Sequence, residues 1–109
     1  MFNRKVMGMR RVTAKSTDTV VYTAANGVRG LVHNILAHNI STAETVSVVI
    51  KYSDGATAFE VYAFDLLPKD TANMWYHNEG FVVSPLGSIV VSASVANVVN
   101  VKIDGTEES

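Results

Sequence analysis

The sequence predicts an all-β protein, a two-sheet antiparallel sandwich of jelly-roll type with about eight strands. Three observations support this fold class. Val accounts for 18 of the 109 residues, and Val is enriched in strands. Turn residues interrupt the apolar segments about every 8–12 residues, which is typical of short antiparallel strands. No segment shows the apolar periodicity of an amphipathic helix of three turns.

The first third of the chain predicts three strands. Segments 10–15 and 19–23 are rich in β-formers and are separated by a Ser-Thr-Asp turn at 16–18. Asn26 and Gly27 tolerate positive φ and predict a tight turn. A long, bent strand is predicted over 28–39, with Gly30 as a candidate bulge.

The middle of the chain predicts two strands of different character. In segment 44–52, Val46, Val48, Ile50 and Tyr52 alternate with more polar residues, as in a half-buried strand. In segment 57–67 both faces are apolar, with Phe59, Val61 and Ala63 on one and Tyr62, Phe64 and Leu66 on the other. This predicts either a central strand or a face covered by another subunit.

The last third predicts three more strands. Pro68 has no N–H for a strand ladder and ends the preceding strand. Segment 71–78 predicts a short helical turn or an irregular excursion. The remaining predicted strands are 80–84, 87–94 and 97–104.

Composition indicates one domain, divided into a basic N-terminal arm with the first strand (1–15), the sandwich (16–105) and an acidic tail (106–109). The absence of Cys excludes disulfides, thiolate zinc sites and thiol catalysis. The apolar runs are too short to cross a bilayer, and the N-terminus has no apolar segment of a secretory signal. We therefore expect no membrane partner, no secretion and no glycosylation at the 39–41 sequon.

Charge is distributed unevenly along the chain. Residues 1–15 carry five basic residues and no acid, whereas the remainder carries four bases and ten acids. This pattern fits a solvated basic arm and acidic tail, or a head-to-tail contact in which the arm reaches an acidic surface on a neighbour. Nucleic-acid binding is the weaker alternative, because the arm offers no aromatic stacking platform beyond Phe2. The basic residues of the arm are Arg4, Lys5, Arg10, Arg11 and Lys15.

The sequence contains no constellation that predicts catalysis, a metal or a cofactor. His33 and His38 are five residues apart, so they point to opposite faces of a straight strand, and chelation would need a bulge between them. His77 is the third histidine. Glu60 and Asp65 also have opposite parity on one strand, which disfavours an acid/base pair. We therefore predict that the protein is not an enzyme.

The segment Met74-Trp75-Tyr76-His77 contains the only tryptophan. Aromatic side chains in the connections of a sandwich either cap the core, anchor a protein interface or stack on sugar rings. All three interpretations remain open for Trp75.

Three blocks of the sequence resemble small β-sandwich virion proteins of tailed bacteriophages. The blocks are residues 21–27 (VYTAANG), residues 35–39 with 44–48 (ILAHN and ETVSV), and residues 87–94 with 99–107 (GSIVVSAS and VNVKIDGTE). The resemblance spans about residues 18–107. It implies a structural part of the particle, namely a capsid decoration or cement protein or a head–tail or tail accessory protein. It also implies an oligomer, with a trimer favoured, and no catalytic residues. Asn39 matches the family's recurrent asparagine, whose role is to satisfy backbone groups at a strand end.

Residue pattern and resemblance together predict a non-enzymatic virion protein, most specifically a head decoration protein. Its expected partners are the major capsid protein or other virion proteins and copies of itself, in particles assembled in the host cytoplasm. The alternative is a carbohydrate-binding or a tail or head–tail accessory module. The residues expected to contact partners are Arg4, Lys5, Arg10, Arg11, Trp75 and Tyr76.

Overall fold

The computed structural model describes residues 5–76 and 81–109, which form nine β-strands and, within those ranges, no helix. No helix in the described part of the chain is long and apolar enough to span a membrane. Arg4 and His77 lie outside the described residues. The strands are β1 (Lys5–Val12), β2 (Thr19–Thr23), β3 (Arg29–Asn39), β4 (Val46–Ser53), β5 (Ala58–Leu66), β6 (Thr71–Trp75), β7 (Phe81–Val83), β8 (Ser88–Ala93) and β9 (Val99–Glu108).

The strands form two antiparallel sheets that face each other. Sheet A has the order β1-β9-β3-β6, with β7 pairing the other half of β3, and sheet B has the order β2-β8-β4-β5. The prediction of an all-β, two-sheet antiparallel sandwich is therefore confirmed. β6 and β7 are two short strands that pair with different halves of β3. Because they occupy one position of the sheet as two strands, the structure has nine strands where about eight were predicted.

The core lies between the sheets and follows the alternation of the strands. In β4, Val46, Val48 and Ile50 are buried, and in β9 Val99, Val101 and Ile103 are buried, as their spacing of two requires. The predicted turns also form. Val28 N–H donates to Ala25 O at 3.0 Å across the Asn26-Gly27 turn, where Gly27 has φ of 77°.

Several local expectations were wrong. The segment predicted as helical or irregular forms β6, because Thr71–Trp75 pairs with the second half of β3. The bulge in β3 is at His33, where the register with β9 shifts, and not at Gly30. Gly30 has a different reason to be glycine, since a Cβ there would lie 2.7 Å from the Tyr22 hydroxyl.

Both ends of the described chain belong to sheet A. β1 begins at Lys5, so the arm from that residue onward is a strand paired with β9. β9 continues to Glu108, so residues 106–108, assigned above to a tail, form the end of a strand. Two ion pairs hold this end, Lys5 with Glu107 and Arg29 with Glu108.

The two lateral sides of the sandwich differ. β1 and β2, the corresponding edges of the two sheets, approach so closely that a Cβ on Gly8 would lie 2.2 Å from the Val21 carbonyl oxygen. The opposite side is formed by β5 in sheet B and by β6 and β7 in sheet A. Aromatic rings fill the space there, with Tyr76 5.5 Å from Phe81 and 6.3 Å from Tyr62 between ring centroids.

Candidate interaction surfaces

β5 is the outer strand of sheet B and presents apolar side chains to solvent. The order of the sheet places it beside β4 alone, so the interpretation of segment 57–67 as a central strand is wrong. Phe59 is 54% and Val61 37% exposed, and the strand has a bulge between Glu60 and Tyr62. Long, apolar edge strands normally invite pairing or coverage by another chain. The second sequence interpretation, a face covered by another subunit, is the one compatible with this position.

β5 also carries two acidic side chains that face solvent. Asp65 accepts a hydrogen bond from the Ser47 hydroxyl at 2.7 Å. Glu60 lies opposite Lys51, whose ammonium is 3.1 Å from Asp18 instead. Neither carboxylate forms an ion pair within the described ranges. We call this surface, with Phe59, Glu60, Val61 and Asp65, the acidic edge.

β1 is the outer strand of sheet A on the opposite side of the molecule. Met9 is 63% exposed and lies beside the exposed residues Arg10 and Arg11. The Arg11 Nε–H donates to Asn100 Oδ1 at 2.8 Å, and neither arginine forms an ion pair with another described residue. We call this surface, with Val6, Met9, Arg10 and Arg11, the basic edge.

Lys5 has an internal role. Its ammonium pairs with one oxygen of Glu107, and the Tyr22 hydroxyl donates to the other at 2.7 Å. The lysine contact first, and then the tyrosine hydrogen bond, hold the pKa of Glu107 below its ordinary value. Burial, followed by the hydrogen bond to Glu107, raises the pKa of Tyr22. This cluster joins β1, β2 and β9, so Lys5 contributes to the fold.

Trp75 and Tyr76 are adjacent in sequence but point in different directions. Trp75 ends β6 with 61% of its surface exposed, so its interpretation as a cap on the core is wrong. Tyr76 instead packs against the core and donates its backbone N–H to His33 O at 3.0 Å. Burial, and then Tyr62, raise the pKa of Tyr76. Trp75 is therefore available to a partner or a sugar, whereas Tyr76 is mostly engaged within the fold.

The described histidines and carboxylates do not form a metal-binding group. The bulge at His33 changes the alternation of β3, so that His33 and His38 both lie on its less buried face, contrary to the expected opposite parity. His38 Nδ1 is 2.6 Å from the Thr71 hydroxyl. No group of three or more metal-ligating side chains occurs in residues 5–76 and 81–109.

Asn39 has the structural role implied by the resemblance. Its side chain is fully buried at the end of β3. Nδ2 donates to the carbonyls of Glu44, Leu67 and Leu66 at 2.8, 3.1 and 3.2 Å, and Oδ1 accepts from the Ser41 N–H at 3.0 Å. One side chain thus ties together the loops that follow β3 and β5.

Sequence reasoning missed several exposed apolar side chains. The sequence places Val6 and Met9 only within the basic segment 1–15, and Val82 only within the predicted strand 80–84, with no face assigned. Their exposure depends on which strand lies at an edge, and no local pattern in the sequence specifies the strand order.

No family model and no curated protein matches the chain. Two solved structures similar to it are described as pentameric capsid proteins isolated from metagenomic phage sequences. The first has a TM-score of 0.41 at 11% identity and covers 96% of this chain and 70% of its own. The second has a TM-score of 0.38 at 12% identity and covers 96% of this chain and 62% of its own. Both TM-scores are below 0.5, so the functional proposal rests on this chain's own residues.

Proposed function

We propose that the protein is a non-enzymatic structural component of a bacteriophage particle, specifically a decoration protein that binds the assembled head. The observation that carries the proposal is the exposed apolar surface on sheet edges and on β6, at Phe59, Val61, Met9 and Trp75. Exposed apolar patches of this kind are typical of surfaces that bind other proteins. The sequence resemblance supplies the class of partner, namely virion proteins.

The winding of the chain supports a jelly-roll type of sandwich. Counting β6 and β7 as one interrupted strand gives two sheets of four positions, ordered β1-β9-β3-β6/β7 and β2-β8-β4-β5. Successive strands lie in different sheets at most connections, and β1 and β9, the first and last described strands, pair in sheet A. Eight-stranded sandwiches of this type occur in viral capsid proteins. In this proposal the partners are the major capsid protein and copies of the chain, with a trimer favoured.

A protein that binds only the assembled head stabilises it by mass action, since its binding free energy is absent from the free capsid subunits. Trp75 is the strongest anchor for such a contact, because an exposed tryptophan buries a large area when it enters a partner's pocket. Arg10 and Arg11 remain proposed partner contacts as well.

The test uses purified phage heads that lack the protein, to which the purified protein is added back. We expect it to sediment with the heads, appear as added surface density by cryo-electron microscopy and raise their thermal stability. Trp75→Ala is expected to lose binding while Asn73→Ala, an exposed change on the same strand, retains it. Absence of binding, or bound protein that leaves the head's stability unchanged, contradicts the decoration role.

The exposure of Trp75 also supports a second candidate, a carbohydrate-binding module on a tail or head–tail accessory protein. An exposed indole can stack on a sugar ring. Binding on a glycan array that Trp75→Ala abolishes, with no binding to heads, would favour this function.

A further inference from the structure

We propose that copies of this chain associate head to tail, the basic edge of one copy packing against the acidic edge of the next. This inference concerns self-association and is independent of whether the protein binds a phage head. It names the acidic edge of a neighbouring copy as the surface that the basic edge contacts. The partner is a second copy of the chain, because one molecule carries both complementary surfaces.

The positions of the two edges support this contact. β1 ends sheet A on the side where it meets β2, and β5 ends sheet B on the opposite side. The two edges therefore face away from each other and cannot meet within one molecule. A contact between two different surfaces of the same protein is heterologous, and repetition around an axis closes it into a ring.

The charges on the edges are complementary and unpaired. Arg10 and Arg11 have no ion pair on one edge, and Glu60 and Asp65 have none on the other, within the described ranges. The two acids at the end of β9 are already engaged, since Glu107 and Glu108 pair with Lys5 and Arg29. The acidic edge is therefore a better neighbour for the basic edge than the end of β9, because its two carboxylates lie together on one strand with exposed apolar side chains.

Each edge also carries exposed apolar side chains between its charges. Val6 is 48% exposed beside the arginines, and Phe59 and Val61 are exposed beside the carboxylates. Apolar contact surrounded by complementary charge is the usual composition of a specific interface. Residues Met9, Arg10, Arg11 and Asn100 line a concave surface on the basic edge, which is a shape that can receive the convex side chains of β5.

Charge reversal tests the contact and its direction. Arg10→Glu/Arg11→Glu and Glu60→Arg/Asp65→Arg are purified separately, and mass is measured by light scattering and analytical ultracentrifugation across a concentration series. We expect the wild type to form a closed oligomer whose association weakens with salt. Each double variant is expected to weaken self-association about tenfold or more, because like charges then face each other.

Mixing the two double variants, or combining all four substitutions in one chain, is expected to restore association. The chain with all four substitutions identifies the edges, because a contact of either edge with its own copy would there still place like charges against each other. Lys15→Glu/Lys69→Glu changes net charge by the same amount in the turns after β1 and β5, at residues with no ion pair in the described ranges, and serves as the control. Circular dichroism verifies that every variant is folded.

A monomeric wild type at all concentrations overturns the proposal. An oligomer that the edge variants leave intact, or a chain with all four substitutions that fails to associate, also overturns it. Head binding measured on the same variants separates this inference from the decoration role. A chain that self-associates without binding heads supports the head-to-tail contact and contradicts the decoration role.

Discussion

Replacing Asn39 with alanine removes a side chain that joins the loop after β3 to the end of β5 and the loop that follows it. The Leu66 carbonyl is buried with its residue and loses its side-chain donor. The carbonyls of Glu44 and Leu67 belong to exposed residues, which water can reach after a small rearrangement. A buried polar group left unsatisfied costs about 1–3 kcal/mol.

We therefore expect Asn39→Ala to lower the free energy of unfolding by about 2–4 kcal/mol, counting the buried carbonyl fully and the others in part. For a domain of this size, that loss lowers the melting temperature by roughly 10–20 °C. Urea unfolding followed by circular dichroism measures the free energy, and a thermal scan measures the midpoint. Asn73→Ala, an exposed asparagine in β6, is the control and should change stability by less than about 0.5 kcal/mol.

Asn39→Asp distinguishes hydrogen bonding from simple packing, because it preserves size. At neutral pH it places a carboxylate against three carbonyl oxygens and should destabilise more than alanine. That environment raises the pKa of the introduced carboxyl above its unfolded value. Its penalty is therefore full at high pH and disappears as the pH falls through the folded pKa. A melting temperature for Asn39→Ala within about 4 °C of wild type would refute the reasoning.

Three further results are expected. Gly8→Ala places a Cβ against the Val21 carbonyl oxygen, 2.2 Å away, and should cost several-fold more unfolding free energy than Gly27→Ala. The latter meets no atom within 4 Å and is limited to the strain of a φ of 77°, about 1 kcal/mol. Both are measured by urea unfolding, and equal losses would contradict the steric argument. Glu107→Gln should flatten the acid side of the stability profile, since the lowered pKa of this carboxyl gives stability that is present above its unfolded pKa and lost as the pH falls through the folded one. Trp75→Ala should leave the melting temperature nearly unchanged, because its side chain is mostly exposed, and a large loss would show a core role.

Much of the fold follows from local pattern. The alternation in β4, the long strand β3 and the turn at Gly27 each depend on neighbouring residues, and each is confirmed. β6 was not predicted, because Thr71–Trp75 has little alternation of its own and becomes a strand by pairing with β3. The bulge at His33 was missed for the same reason, since a register shift is a property of two strands.

The candidate surfaces divide in a similar way. The basic character of segment 1–15 and the two apolar faces of segment 57–67 are visible in the sequence. Sequence could not show that Lys5 pairs with Glu107, because 102 positions separate them in the chain. It also could not show that Tyr76 turns inward while Trp75 turns outward, because that depends on the pairing of β6 with β3.

The sequence by itself determined that this protein is a Cys-free, Val-rich β-sandwich in which both faces of segment 57–67 are apolar. Periodicity and turn chemistry act over a few residues, so a single chain displays them directly. Only the tertiary structure decided that β1 and β5 lie at opposite edges, with arginines on one and carboxylates on the other. Strand order arises from long-range pairing, in which residues far apart in the chain select one another by burial, and local sequence does not encode that choice.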